Sequence, residues 1–152
     1  MQFAVAEILT VRKGILAETF RALRECGKHR DECVVYWTGP VGEYAVDGIV
    51  QPPHSASPQH YHVDDTWITR YFLDLRASGR TTRAQIHTHP GSSVRHSTTD
   101  DDFPLVRSPG FTSIVLPYFA SRKVTLSGAF VATVDLDGNW VEQHSDASFQ
   151  WL

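Results

Sequence analysis

Between Ile86 and Asp102 the chain reads His87-Thr88-His89-Pro90, then six residues, then Ser97, two threonines and Asp100. No other run constrains the fold as strongly. Two histidines separated by one residue share a face only in an extended strand, where side chains alternate. Pro90, which fixes φ and donates no amide, then shapes the exit from that strand. Asp100 brings a carboxylate back toward the imidazoles from across a loop. Two imidazoles and a carboxylate form a three-ligand set for zinc, with the fourth tetrahedral position left to water. That open position marks catalytic rather than structural zinc, whose sites are usually closed by four protein ligands.

The rest of the composition sets modest limits. With 152 residues, the chain suits one domain over 1–152, which would bury roughly 70% of the surface its unfolded form exposes. Hydrophobic residues make up 41% and charged residues 20%, ordinary for a globular protein, and no apolar run approaches the roughly 18 residues that suggest a membrane span. The start, MQFAVAEILTVRKG, is a poor signal peptide because charge follows the apolar stretch instead of preceding it, so the expected location is cytoplasmic. Cys26 and Cys33 are too few for a disulfide framework or an all-cysteine zinc site and read as two buried thiols. A net charge of -3 exerts no general pull toward nucleic acid.

Helical and strand periods alternate along the chain. Phe3, Val5 and Ile8 outline a first strand; Ile15, Leu16, Thr19, Phe20 and Leu23 then recur at helical spacing, with Gly27 as the stop. ECVVYWTG and GEYAVDGIVQ read as two strands of a hairpin separated by Gly39 and Pro40. Gln51 to His62, with three prolines and two serines, opposes both helix and ladder and reads as the main loop, bordering a substrate groove. Asp64 or Asp65 caps a second helix whose stripe of Trp67, Ile68, Tyr71, Phe72 and Leu75 is a packing face, ended by Gly79. Arg83 to His89 is the strand that delivers the histidines. FTSIVLP, SGAFVATVDL and NWVEQ follow as further strands, with Asp137-Gly138 as the last turn. The pattern is α/β, with a sheet of mixed or undetermined direction.

His87-Thr88-His89-Pro90, the spacer, Ser97 and Asp100 together resemble the signature of the JAMM metalloproteases, the JAB/MPN family. Strand before and loop after are the context such a motif needs. The order of elements over most of the chain is also similar, and the resemblance implies a cytidine-deaminase-like α/β/α layer with a central mixed sheet. It further implies one catalytic Zn2+ held by His87, His89 and Asp100, and a general base on the strand after the first helix, where Glu32 fits better than Glu25 or Glu43. Glu32 would take a proton from the attacking water and pass it to the departing amine. The Ser97 hydroxyl would stabilise the tetrahedral oxyanion. The implied reaction is isopeptide or peptide cleavage after the C-terminal tail of a ubiquitin-like protein, by a compact prokaryotic member. E1-like and E2-like proteins would be functionally linked, as in bacterial and antiphage conjugation operons.

Other residues invite blander readings. His60 and His62 repeat the His-x-His spacing, but no carboxylate follows at the motif distance, which favours a loop or groove wall over a second zinc site. His96 reads as solvated. Asp101 and Asp102 compete locally with Asp100, and only the family spacing selects Asp100. Trp37, Trp67 and Trp140 read as core aromatics, and Trp151 as either exposed or docked. Different function classes also compete. A metal-free MPN interaction module characteristically loses ligands that are retained here. A zinc nucleobase deaminase needs His-x-Glu and Pro-Cys-x-x-Cys, which Cys26 and Cys33 cannot supply. A DNA-repair relative lacks the support of a basic stripe, and processing of a sulfur-carrier precursor or a small-molecule conjugate keeps the protease with another substrate.

Overall fold

The computed structural model describes residues 8–94, 106–144 and 147–152. Leu9–Val11 forms β1, displaced C-terminally from the expected first strand, of which Phe3 and Val5 lie outside the described residues. Helix α1 follows over Ile15–Gly27, the span set by the helical spacing, and buries Ile15, Thr19, Phe20 and Leu23. Strand β2 is Val34–Pro40. Gly39 and Pro40 therefore end this strand instead of forming the turn. Glycine is required at position 39 because a Cβ there would lie 1.8 Å from the carbonyl oxygen of Ala45. The expected partner strand divides into β3, Ala45–Val46, and β4, Gly48–Val50, which join different sheets.

The segment read as an irregular loop contains a hairpin, β5 (His54–Ala56) antiparallel to β6 (Tyr61–Val63). Its prolines do not break the ladder. Pro52 and Pro53 precede β5 and Pro58 sits in the turn, where no ladder amide is needed. Ser57 closes that turn, its amide donating to the His60 carbonyl at 2.9 Å and its Oγ accepting from the His60 amide at 3.1 Å. Helix α2, Asp65–Ala77, begins at Asp64, whose carboxylate accepts from the Trp67 amide at 2.9 Å, a cap worth about 1 kcal/mol. Gly79, at φ 70°, takes the left-handed turn that leads into β7, Arg80–Thr88. Strands β8 (Thr112–Leu116), β9 (Phe130–Val134) and β10 (Trp140–Glu142) follow as expected. An unexpected β11, Phe149–Trp151, pairs parallel to β1.

The main sheet has the order β10-β9-β8-β7-β2-β4. It is mixed, since β7 and β8 are parallel and its other pairings are antiparallel. Alternation along β2 separates two cores. Val35 and Trp37 pack with Ile15, Phe20 and Leu23 of α1 on one face; Val34 and Tyr36 pack with Tyr71, Trp67 and Ile68 of α2 on the other. The two helices thus cover opposite faces, giving the α/β/α layering expected. Trp37 is fully buried, while Trp151 is 43% exposed yet meets the Trp37 ring edge-on at 6.5 Å, so it is both docked and partly exposed. The two cysteines are not thiols: a disulfide joins Cys26 in the last turn of α1 to Cys33 just before β2. Spacing alone did not reveal this pairing, which depends on the chain reversing between helix and strand.

Candidate metal centre and general base

Strand β7 lies inside the sheet, between β2 and β8. His87 is its penultimate residue, directly opposite Val34 on β2 and Val115 on β8, and is fully buried. His89 follows one residue beyond the strand and is half-buried. Their rings stack with centroids 5.1 Å apart and planes inclined by 30°, so the two-residue spacing does place both imidazoles on one side of the chain. His89 is held as a continuation of the sheet, its amide donating to the Leu116 carbonyl at 2.9 Å and its own carbonyl accepting from Phe119 at 2.9 Å.

Hydrogen bonds also orient the rings. Nδ1 of His89 lies 3.0 Å from the carbonyl oxygen of Ser93. A carbonyl only accepts, so Nδ1 carries the proton and the neutral ring presents its lone pair at Nε2. Nδ1 of His87 meets the Tyr61 hydroxyl at 3.1 Å, and the Tyr61 ring stands edge-on to it at 5.4 Å. Metal-binding histidines characteristically commit their second nitrogen in this way, which fixes tautomer and ring orientation. The donor set therefore fits zinc as far as its two histidines go. Ser97 and Asp100 lie outside the described residues, as do His96, Asp101 and Asp102.

Glu32 is buried to 7% exposure, unusual for a carboxylate and contrary to the surface role an isolated glutamate before a strand would take. Its amide donates to the Ser57 carbonyl in the β5–β6 turn at 2.8 Å. Just after it, the Cys33 amide donates to Thr88 Oγ1 at 3.0 Å, and the Thr88 amide donates to the Cys33 carbonyl at 3.1 Å. These bonds extend the β2–β7 ladder past its last strand pair. Continuing the Val34–His87 register by two residues sets Glu32 against His89, at the same end of the sheet as both imidazoles.

No family model matches the chain. A probable metalloprotease from Sinorhizobium fredii (strain NBRC 101917 / NGR234) is 39% identical over 68 residues, 45% of this chain and 41% of that protein. The match thus spans less than half of that relative. Among solved structures, a JAB1/MPN domain protein from Archaeoglobus fulgidus superposes over 96% of this chain and 99% of its own, with TM-score 0.56 and 16% identity. The chain has the JAB1/MPN fold. A structure described as JAMM, a metalloprotease-like zinc site in the proteasome and signalosome, covers 96% of this chain and 99% of its own with TM-score 0.51 and 16% identity.

Within this JAB1/MPN fold, sequence reasoning missed Tyr61. The signal was its position between His60 and His62: on a strand ending in buried Val63, Tyr61 turns inward while His62 faces out. His60 is likewise exposed, and its Nδ1 contacts Ser57 Oγ at 3.1 Å. The second His-x-His pair thus decorates the hairpin while the tyrosine inside it reaches His87. Among the described residues, the group of three metal-type side chains that converge is Cys26, Cys33 and His54. With both sulfurs in a disulfide, it has no thiolate to offer an ion. Among those residues, too, no helix is long and apolar enough to cross a membrane.

Proposed function

We propose that the chain is a JAMM-type zinc metallopeptidase that cleaves after the C-terminal tail of a ubiquitin-like protein, by deconjugation or precursor trimming. The observation that carries the peptidase reading is buried Glu32 at the same end of the sheet as two stacked imidazoles whose Nδ1 atoms are both engaged by oxygens. Its support is the likeness to a probable metalloprotease and to structures with a JAB1/MPN or JAMM zinc-site description.

His87 and His89 would hold the ion through Nε2, with Asp100 as the third ligand. When bound, zinc supplies Lewis-acid polarisation and lowers the pKa of water from about 15.7 to about 7. Glu32 takes the proton released as water attacks the scissile carbonyl and delivers it to the departing amine, so one carboxylate serves both halves of the reaction. Its burial, next to a backbone fixed by Ser57 and Thr88, limits competition from solvent protons. The Ser97 hydroxyl donates to the developing oxyanion.

A groove of about 350 Å³ on the α1 side of the sheet is lined by Phe20, Ser92, Leu116, Tyr118, Arg122 and Lys123, on the face opposite His87. Ubiquitin-like proteins, as precursor or conjugate, are the proposed substrates. The proposed setting is a cytoplasmic conjugation pathway with E1-like and E2-like proteins, of the kind found in antiphage operons.

Metal analysis of the purified protein should find about one zinc per chain, and His87→Ala or Asp100→Ala should remove it. Glu32→Gln should keep the metal and lose turnover by about 10²–10⁴-fold. Full activity after exhaustive chelation would refute the mechanism. Failure to cleave ubiquitin-like precursors or conjugates, with cleavage of other peptides intact, would refute the substrate while sparing the chemistry.

A further inference from the structure

The disulfide between Cys26 and Cys33 is not isolated. Nε2 of His54 lies 3.3 Å from the Cys26 sulfur, while Nδ1 of the same ring is 2.7 Å from the Pro52 carbonyl oxygen. Because that carbonyl accepts, Nδ1 carries a proton, which leaves Nε2 as the ring nitrogen that faces the sulfur. The histidine is therefore placed to share a proton with the Cys26 sulfur whenever the disulfide opens. The two sulfurs differ in access: Cys33 is fully buried, whereas Cys26 is half-buried. The seven-residue separation is spanned by a turn in which Lys28 and His29 take positive φ, 49° and 64°. Between the two cysteines Lys28 and Arg30 are balanced by Asp31 and Glu32, and Arg30 pairs with Asp31 at 3.8 Å.

We infer that Cys26, Cys33 and His54 form a reversible thiol–disulfide exchange site, with Cys26 as the reactive sulfur and low-molecular-weight thiols as its reaction partners. An external thiolate attacks the Cys26 sulfur, the Cys26–Cys33 bond breaks, and Cys33 departs with the electron pair and takes up the proton lost by the attacking thiol. A second external thiolate then attacks the outer sulfur of the mixed disulfide. Cys26 leaves as a thiolate paired with His54, which receives the second proton. Two external thiols are oxidised to their disulfide and the protein disulfide is reduced, a balanced two-electron exchange. The reverse direction begins with Cys26 as nucleophile, and Cys33 resolves the mixed disulfide. A leaving thiol of low pKa departs faster, so His54 assists the step that frees Cys26.

The placement gives this exchange a consequence that rests on the peptidase reading. Cys33 follows Glu32 directly, and the disulfide ties the backbone of that base to α1. Reduction removes one of its tethers and leaves those to Ser57 and Thr88.

The exchange itself can be tested without any peptidase assay. In a Cys33→Ser variant, Cys26 remains as a single thiol, and its alkylation by iodoacetamide at pH 7 can be followed by intact mass. The expected rate is about tenfold above that of free glutathione, falling to the glutathione rate when His54→Gln is added. An equal rate in both variants, or one no faster than glutathione, would overturn the inference. Wild-type protein equilibrated in glutathione buffers provides a second measurement that needs no variant. The folded protein should interconvert reversibly between disulfide and dithiol, with the mixed disulfide mapped to Cys26. Reduction occurring only on unfolding, or a mixed disulfide on Cys33, would overturn it as well. Absence of peptidase activity in the disulfide-bonded wild-type protein, with normal exchange, would count against the peptidase reading alone.

Discussion

Tyr61→Phe isolates the support of a proposed ligand from the ligand itself. The substitution deletes only the hydroxyl that meets Nδ1 of His87 at 3.1 Å, leaving a ring able to keep its edge-on contacts with His87 at 5.4 Å and His54 at 6.1 Å. Two effects follow from different parts of the structure. In folding, one neutral hydrogen bond at a fully buried imidazole is lost, about 0.5–1.5 kcal/mol. At about 2–4 °C per kcal/mol for a chain of this size, the metal-free protein should melt about 1–6 °C lower. In metal binding, loss of an outer partner that fixes tautomer and orientation typically costs 10–100-fold, or about 1.4–2.7 kcal/mol. Zinc affinity should therefore fall by more than the stability loss explains. Competition with a chromophoric chelator measures the first quantity and thermal unfolding of the stripped protein the second. Zinc affinity within twofold of wild type, with the melting temperature lowered as expected, would refute the argument and reduce Tyr61 to packing.

Two further outcomes test the frame around the site. Thr19→Val removes the hydroxyl that accepts from the fully buried Trp37 indole at 2.8 Å and donates to the Ile15 carbonyl at 2.7 Å; it should cost about 1–3 kcal/mol in urea unfolding without altering zinc stoichiometry. Burial, opposed by a hydrogen bond from Thr82, pushes the Tyr71 hydroxyl up to about 12, above its ordinary value of about 10. Since the fold favours the protonated form, this contribution is fully present below about pH 10 and is lost as pH rises through about 12. Tyr71→Phe should thus flatten the alkaline decline of the urea midpoint over that interval, and an unchanged slope would contradict the burial argument.

Which features were legible follows from how local their causes are. The α1 boundaries were readable because Ile15, Phe20 and Leu23 recur at helical spacing and share one buried face. The Asp64 cap was one of two candidates, and the choice rested on which carboxylate reaches the Trp67 amide. His87 and His89 were readable because strand alternation alone puts their rings together. The β5–β6 hairpin was hidden because each strand has three residues, too few to establish a period, and its sequence is polar and proline-flanked. The disulfide and β11 were hidden for another reason. Both depend on where distant segments come to rest, Cys33 beside the end of α1 and Phe149 beside Leu9.

The last turn of α1 links the two sides of the candidate site. His89 lies beyond the end of β7, where a ligand on an unsupported loop would wander. It is bonded instead to the turn Tyr118–Ala120, three residues with φ of 54–56°, a left-handed conformation costing of order 1–3 kcal/mol for each non-glycine residue. Such a turn persists only if its surroundings hold it. The Phe119 amide bonds to His89 and the Tyr118 amide to Gly91; the Arg122 guanidinium lies 3.5 Å from the centre of the Tyr118 ring. From α1, Arg24 Nε donates to the Ala120 carbonyl at 2.6 Å, and Nη2 donates to the Arg122 carbonyl. Two residues later, Cys26 reaches the other way, to the segment that carries Glu32. One helical turn thus anchors the imidazole side through arginine and the carboxylate side through sulfur. Of these two anchors only the sulfur can be undone by electron transfer, so a redox signal at Cys26 would act on Glu32, the proposed base, and leave the histidines in place.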